Sequence, residues 1–290
     1  MPVQKLQFKP GVNRENTRYS AEGQWYDTDK VRFRRGLPQK IGGWQRLSSD
    51  TYLGVARSLH NWTTLSQQNL VAAGTNLKYY LERGGAYYDI TPIRATTAAG
   101  DVTFAAFTDA LTLFVTDVAH GAAQGDFVTF SGAVTLGGNI TAEVLNQEYQ
   151  VATVIDDDTY TITSAVAANA SDIGNGGASV VGAYQIPIGN EIEVPFTGWG
   201  GGRWGSGTWS TGGSTNAPMR IWSQANFGED LFFAHRGGVP LYWDATNGTD
   251  APGVFVNSLV GASDVPEVVN IAFVSDIFRF AFCFGTNDIG

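Results

Sequence analysis

Short apolar-polar alternations recur along most of the chain, at the period of strands rather than helices. In Val31-Arg32-Phe33-Arg34, Val31 and Phe33 face one way and the two arginines the other, a half-buried strand with a basic outer face. Four more runs follow at Ala56–Trp62, Asn69–Gly74, Leu77–Glu82 and Ala86–Ile93. Turn residues separate them, including Thr75-Asn76 and Arg83-Gly84-Gly85. A four-stranded antiparallel meander of about 40 residues has the size of one β-propeller blade.

A partial repeat supports that reading. Trp62 precedes Leu70 by 8 residues and Trp222 precedes Leu231 by 9. Leu70 precedes Tyr80 by 10 and Leu231 precedes Tyr242 by 11. A third unit begins at Val268–Asn270 and includes Phe273–Gly285. The two copies stand too far apart for adjacent blades, so something is inserted. Strand patterns at Leu111–Val115, Phe127–Phe130, Tyr149–Ile155, Tyr160–Thr163 and Val180–Gln185 predict a separate small β domain. The expected organisation is an extended basic arm over 1–50, a first blade region over 51–100 and an inserted β domain over 101–190. A Gly/Trp-rich loop over 191–216 and further blades over 217–290, continuing beyond 290, complete it. The fold class is all-β: a β-propeller interrupted by an inserted domain.

Composition agrees with many short strands and tight turns. The chain has 36 Gly, eight Trp and only 16% charged residues, against about 25% in an average soluble protein. Charge is unevenly placed. Residues 1–46 carry ten Lys/Arg and four acids, a net of +6, which leaves −15 on the remainder. A basic arm beside an acidic body suits a grip on nucleic acid or on a negative neighbouring subunit.

Candidate chemistry is sparse. His60, His120 and His235 stand singly, in no zinc-binding spacing, and His60 and His235, within strand readings, fit hydrogen-bonding roles. Cys283 lies among phenylalanines and reads as a small buried hydrophobe. Asp156-Asp157-Asp158 reads as a hairpin turn rather than a calcium loop, which would need a Gly and a distal Glu. Asp244 and Glu229 are the carboxylates that a glycoside-hydrolysis reading would pair. No catalytic, metal or cofactor site is expected, and no run reaches the ~20 apolar residues of a membrane span. The start, Met1-Pro2-Val3-Gln4-Lys5, has no apolar run of a secretory leader. The interface candidates are Trp25, Tyr26, Arg32, Arg34, Arg35 and Trp44 in the arm, with Trp199, Trp204 and Trp209 in the Gly-rich loop.

Four stretches carry a resemblance. Phe8-Lys9-Pro10-Gly11-Val12, then Trp25-Tyr26-Asp27-Thr28-Asp29-Lys30-Val31-Arg32-Phe33-Arg34, then Leu37-Pro38-Gln39-Lys40-Ile41-Gly42-Gly43-Trp44 resemble the opening of the tail nozzle proteins of short-tailed bacteriophages. That group is also called packaged-DNA stabilisation protein or tail tubular protein B. Phe284-Gly285-Thr286-Asn287-Asp288 resembles a later blade strand of the same proteins. The resemblance covers 1–95 and 217–290. It implies a structural, non-enzymatic virion subunit in a homohexameric ring below the portal and adaptor. That ring would be assembled in the host cytoplasm, retain packaged DNA and let it pass at ejection without specific binding. Tail fibres are a further candidate partner. The rival readings are a carbohydrate-binding or depolymerising tail protein acting through the Trp loop, and a secreted β lectin.

Overall fold

The computed structural model describes residues 8–43, 45–46, 48–192, 218–275 and 277–286. They are nearly all-β, in two compact units, 1–49 and 50–290.

In the first unit β1 (Val31–Arg34) and β2 (Leu37–Lys40) form an antiparallel hairpin. Its two-residue turn has Arg35 and Gly36 both at positive φ, 52° and 82°. That is a type I′ turn, whose twist matches the flanking strands. Val31 and Phe33 are half-buried and Arg32 and Arg34 exposed, as the alternation predicts. Upstream, Val12 bridges Trp25, and Phe8 and Phe33 flank the Trp25 ring at 5.7 and 6.1 Å. Among the described residues of this unit only Ala21 and Ser48 are buried.

The second unit begins with a four-stranded meander, β3 (Ala56–Thr63), β4 (Asn69–Thr75), β5 (Tyr79–Arg83) and β6 (Ala86–Asp89), here called sheet 1. The expected last strand, Ala86–Ile93, is in fact two. Pro92 lacks the N–H a ladder needs, and the Asp89 carboxylate draws the chain into a turn by accepting from Thr91 N at 2.9 Å. The chain then enters a seven-stranded antiparallel sheet. Its strands are β7 (Ile93–Thr96), β8 (Thr103–Ala106), β9 (Thr112–Thr116), β10 (Phe127–Ser131), β11 (Glu148–Val154), β12 (Thr159–Thr163) and β13 (Val181–Gln185). Their spatial order is β7-β13-β10-β11-β12-β9-β8. A single turn of helix, α1 (Ala142–Leu145), is N-capped by Thr141. The sheet curls over its own core, since Phe104 on edge strand β8 meets Phe130 on β10 at 4.9 Å, edge to face.

A second meander, sheet 2, comprises β14 (Trp222–Phe227), β15 (Asp230–His235), β16 (Leu241–Trp243) and β17 (Val254–Phe255). A hairpin, sheet 3, follows with β18 (Ile271–Val274) and β19 (Ala281–Phe284). The three sheets stack. Trp62, Leu70, Tyr79 and Leu81 of sheet 1 pack on Trp222, Leu231, Phe233 and Trp243 of sheet 2. The opposite face of sheet 2 packs through Phe232 and Ala234 on Ala272 and Val274 of sheet 3. β14 touches β3 on one side and β18 on the other, so the first strands of successive sheets run side by side. Among the described residues the stack is open: no sheet closes on itself, and three sheets complete no ring.

The repeat exists in the structure, but in another register. If each sheet's face toward the next is equated, the ladders set Ala72 and Leu81 of sheet 1 against Phe232 and Tyr242 of sheet 2, and Trp62 against Phe227. Equating Tyr80 with Tyr242 and Trp62 with Trp222 therefore slips by an odd number of residues and exchanges faces. Trp62 and Trp222 instead sit at opposite ends of one shared interface. The Trp62 indole N–H donates to Glu229 O at 3.1 Å and that of Trp222 to Thr75 O at 2.7 Å.

Candidate interaction surfaces

The N-terminal hairpin presents its side chains outward. Arg34, Arg35 and Lys40 are exposed and make no ion pair among the described residues, while Arg32 Nε donates to Gln39 Oε1 at 3.1 Å. Arg34, Arg35, Leu37, Pro38 and Gln39 line a shallow groove, with Leu37 70% exposed. Tyr26 lies under the guanidinium groups of Arg14 and Arg18, at 5.9 and 4.6 Å, and Arg14 also pairs with Asp27 at 2.6 Å. Trp25 is half-buried in the Phe8-Trp25-Phe33 cluster, an anchor within the unit. The structure thus groups five of the sequence-selected residues, Trp25, Tyr26, Arg32, Arg34 and Arg35, in one unit. Trp44, Trp199, Trp204 and Trp209 lie outside the described residues.

A second surface was not anticipated. The sheet 3 ladder places Ile271 opposite Phe284 and Phe273 opposite Phe282, all on the face turned away from sheet 2. All four are exposed, and Phe273 stacks on Phe282 and Phe284 at 5.1 and 5.5 Å. Phe278 and Phe280 are also exposed, their rings 6.2 Å apart. The alternation in Ala281-Phe282-Cys283-Phe284 carries the signal: two bulky rings share a face while Cys283 turns inward against sheet 2. Burial pushes the Cys283 thiol up, consistent with a small packed side chain.

A cleft of about 230 Å³ opens between the β3–β4 turn and the sheet 2 turns, lined in part by Gln68, Arg83, Glu229, Asp230 and Thr246. Its acids are engaged as staples. Glu229 Oε1 accepts from Leu65 N, and Asp230 accepts from the Tyr242 hydroxyl and from Ala245 N. Asp244 does not line this cleft. Its carboxylate caps the 3₁₀ turn Ala245–Asn247 by accepting from Thr246 N at 2.8 Å.

The histidines have structural partners. His60 Nε2 bonds Asn226 Oδ1 across the interface between sheets 1 and 2. His120 Nδ1 accepts from Ala122 N at 2.9 Å, which leaves Nε2–H to donate to Asp156 O at 3.1 Å. His235 packs edge-on to Trp222 at 5.5 Å, and a Cβ on Gly238 would fall 2.1 Å from its ring. Burial, helped by Arg220, pulls the His235 pKa down to about 4. Arg220 is itself buried, its guanidinium donating to Pro187 O at 2.7 Å and lying 5.4 Å from the Trp222 ring. Burial lowers its pKa to about 10. The acidic triplet forms the predicted β11–β12 turn: Asp156 Oδ1 accepts from Asp158 N, and Asp158 Oδ1 from Ala119 N. Among the described residues no cluster of three or more His, Cys, Asp or Glu could hold a metal ion. No described helix is long and apolar enough to cross a membrane.

Lys78 joins the seven-stranded sheet to sheet 1. Its side chain is 2% exposed, and its ammonium contacts Asp89 of sheet 1 at 2.5 Å and Glu148 of β11 at 2.6 Å, 4.3 Å from the Phe127 ring. Gln185 Nε2 donates to the same two carboxylates, at 3.1 and 3.0 Å.

No family model and no curated protein matches the sequence. Among solved structures, the chain has a likeness to a phage phi92 endosialidase at 15% identity and a TM-score of 0.24. The alignment covers 75% of this chain and 32% of that one, so the chain spans about a third of that protein's length.

Proposed function

We propose that the chain is a structural, non-enzymatic subunit of a phage tail, of the nozzle kind, whose ring forms a distal channel that holds packaged DNA and passes it at ejection. The observation that supports this reading is the open stack of meanders. Two four-stranded sheets and a two-stranded third pack face to face, with β3, β14 and β18 side by side. The outer face of sheet 3 is left with four exposed apolar side chains. Continued stacking would cover that face and close a propeller, which is the architecture the opening motifs imply. The acidic balance of residues 47–290 suits a channel wall, because carboxylates repel phosphates where Lys and Arg would grip them.

Electron microscopy of the purified protein, with a parallel assay for sugar release from bacterial surface polysaccharides, tests this reading. Rings with an axial channel and no sugar release support it. A protein that stays monomeric at its solubility limit, or one that releases sugar, overturns it.

A further inference from the structure

The seven-stranded sheet has a one-sided composition. From Asp101 to Asn190 there is not one Lys or Arg, against ten Asp and Glu. Four of these acids are spoken for: Asp117, Asp126 and Asp172 are buried, and Glu148 pairs with Lys78. The other six, Asp101, Asp109, Glu143, Asp156, Asp157 and Asp158, are exposed. Asp109, Glu143 and Asp157 accept no hydrogen bond on their side chains among the described residues. A β domain with this balance repels its own kind and attracts a basic surface within a Debye length, about 8 Å at physiological salt.

The N-terminal unit is the converse. It carries the +6 segment, and among its described residues it buries only Ala21 and Ser48. A two-stranded hairpin with so little core is marginal by itself and gains stability by docking. Its outward residues combine unpaired bases, Arg34, Arg35 and Lys40, with exposed apolar side chains, Leu37 and Ile41. Bases set the rate and salt dependence of an encounter, and apolar contacts then hold it.

We infer that the N-terminal hairpin of one copy docks on the acidic seven-stranded sheet of a neighbouring copy, through Arg32, Arg34 and Arg35. Basic and acidic patches on different parts of one chain make a head-to-tail contact, and such contacts generate rings or open filaments. The inference deepens the proposed function and rests on its premise that the chain self-assembles.

The test mixes two isotopically distinguishable copies of the intact protein, one carrying a photo-crosslinking residue at position 37. Cross-links from the hairpin to 101–190 of the other copy are the expected result. They should drop about tenfold or more when Arg32, Arg34 and Arg35 are all changed to Glu, and should recover partly when Asp109, Glu143 and Asp157 are changed to Lys in the partner. An unchanged circular dichroism spectrum checks that each variant is folded. Cross-links only within one copy, or a hairpin that binds DNA instead, overturn the inference. Rings without cross-copy links would sink the inference and leave the nozzle reading standing; cross-copy links in open filaments would do the reverse.

Discussion

Lys78 is the most severe single point at which to test the account of how the inserted sheet is held. Changing Lys78→Met keeps the stem and removes the charge, leaving Asp89 and Glu148 facing each other with Gln185 as their remaining shared donor. Breaking a fully buried pair by removing one partner costs about 3–5 kcal/mol. Here the carboxylates are 27% and 33% exposed, so water recovers part of that, and about 2–3 kcal/mol is expected. Urea unfolding followed by Trp fluorescence measures the loss. A triple variant that adds Asp89→Asn and Glu148→Gln should regain most of the loss. A Lys78→Met protein within about 0.5 kcal/mol of the parent, or a triple variant no more stable than Lys78→Met alone, would refute the reasoning.

Other perturbations follow from the same packing. His235 has an ordinary pKa of 6.5 and a folded one of about 4, so its contribution is fully present above 6.5 and lost as pH falls toward 4. For this half-buried ring the loss from pH 7 to 5 is about 1–2 kcal/mol, read as the difference in urea midpoint shifts between the parent and His235→Asn. Gly74 has no room for a side chain: a Cβ there would fall 2.5 Å from the Trp222 ring, so Gly74→Ala should cost about 1–3 kcal/mol and Trp222→Ala about 3–5, both by thermal unfolding. Phe282→Ser with Phe284→Ser should reduce binding of a hydrophobic dye and self-association, without lowering the melting temperature by more than about 2 °C.

Much of the fold is legible because alternation fixes both the strand and its buried face. The four strands of sheet 1 and the predicted strands of the insert lie within a residue or two of their sequence patterns, apart from the split at Pro92. The missed strands, β7 and β8, are four residues each, and the run Thr103-Phe104-Ala105-Ala106 offers one large side chain to betray it. The register of the repeat escaped because aromatic residues occupy both faces of these sheets: type alone matches Tyr80 to Tyr242, whereas Leu81 holds the equivalent place in the ladder. The basic strand was readable from Val31 to Arg34. The uncovered face of sheet 3 was not, since a phenylalanine run says nothing about which rings lack a neighbour. The Lys78 cluster joins residues by bonds spanning as many as 96 positions and leaves no local pattern.

The pairing of β7 with β13 sets Ile93 beside Gln185, so the insert begins and ends at neighbouring points of one ladder. Ile186 N donates to Pro92 O at 3.0 Å, which ties the two crossings together. To the rest of the chain, more than ninety residues then behave as a tight staple. Sheets 1 and 2 meet through contacts some 145 to 167 positions apart, as between Tyr79 and Gln224 or Trp62 and Glu229. Once the insert has folded, the effective loop between those sheets shrinks about two- to threefold and the closure entropy falls by about 1 kcal/mol. The inserted domain is thereby a candidate for the first part to fold, with the meanders assembling across its neck. The same geometry makes it a cassette that can be exchanged without re-routing the chain around it.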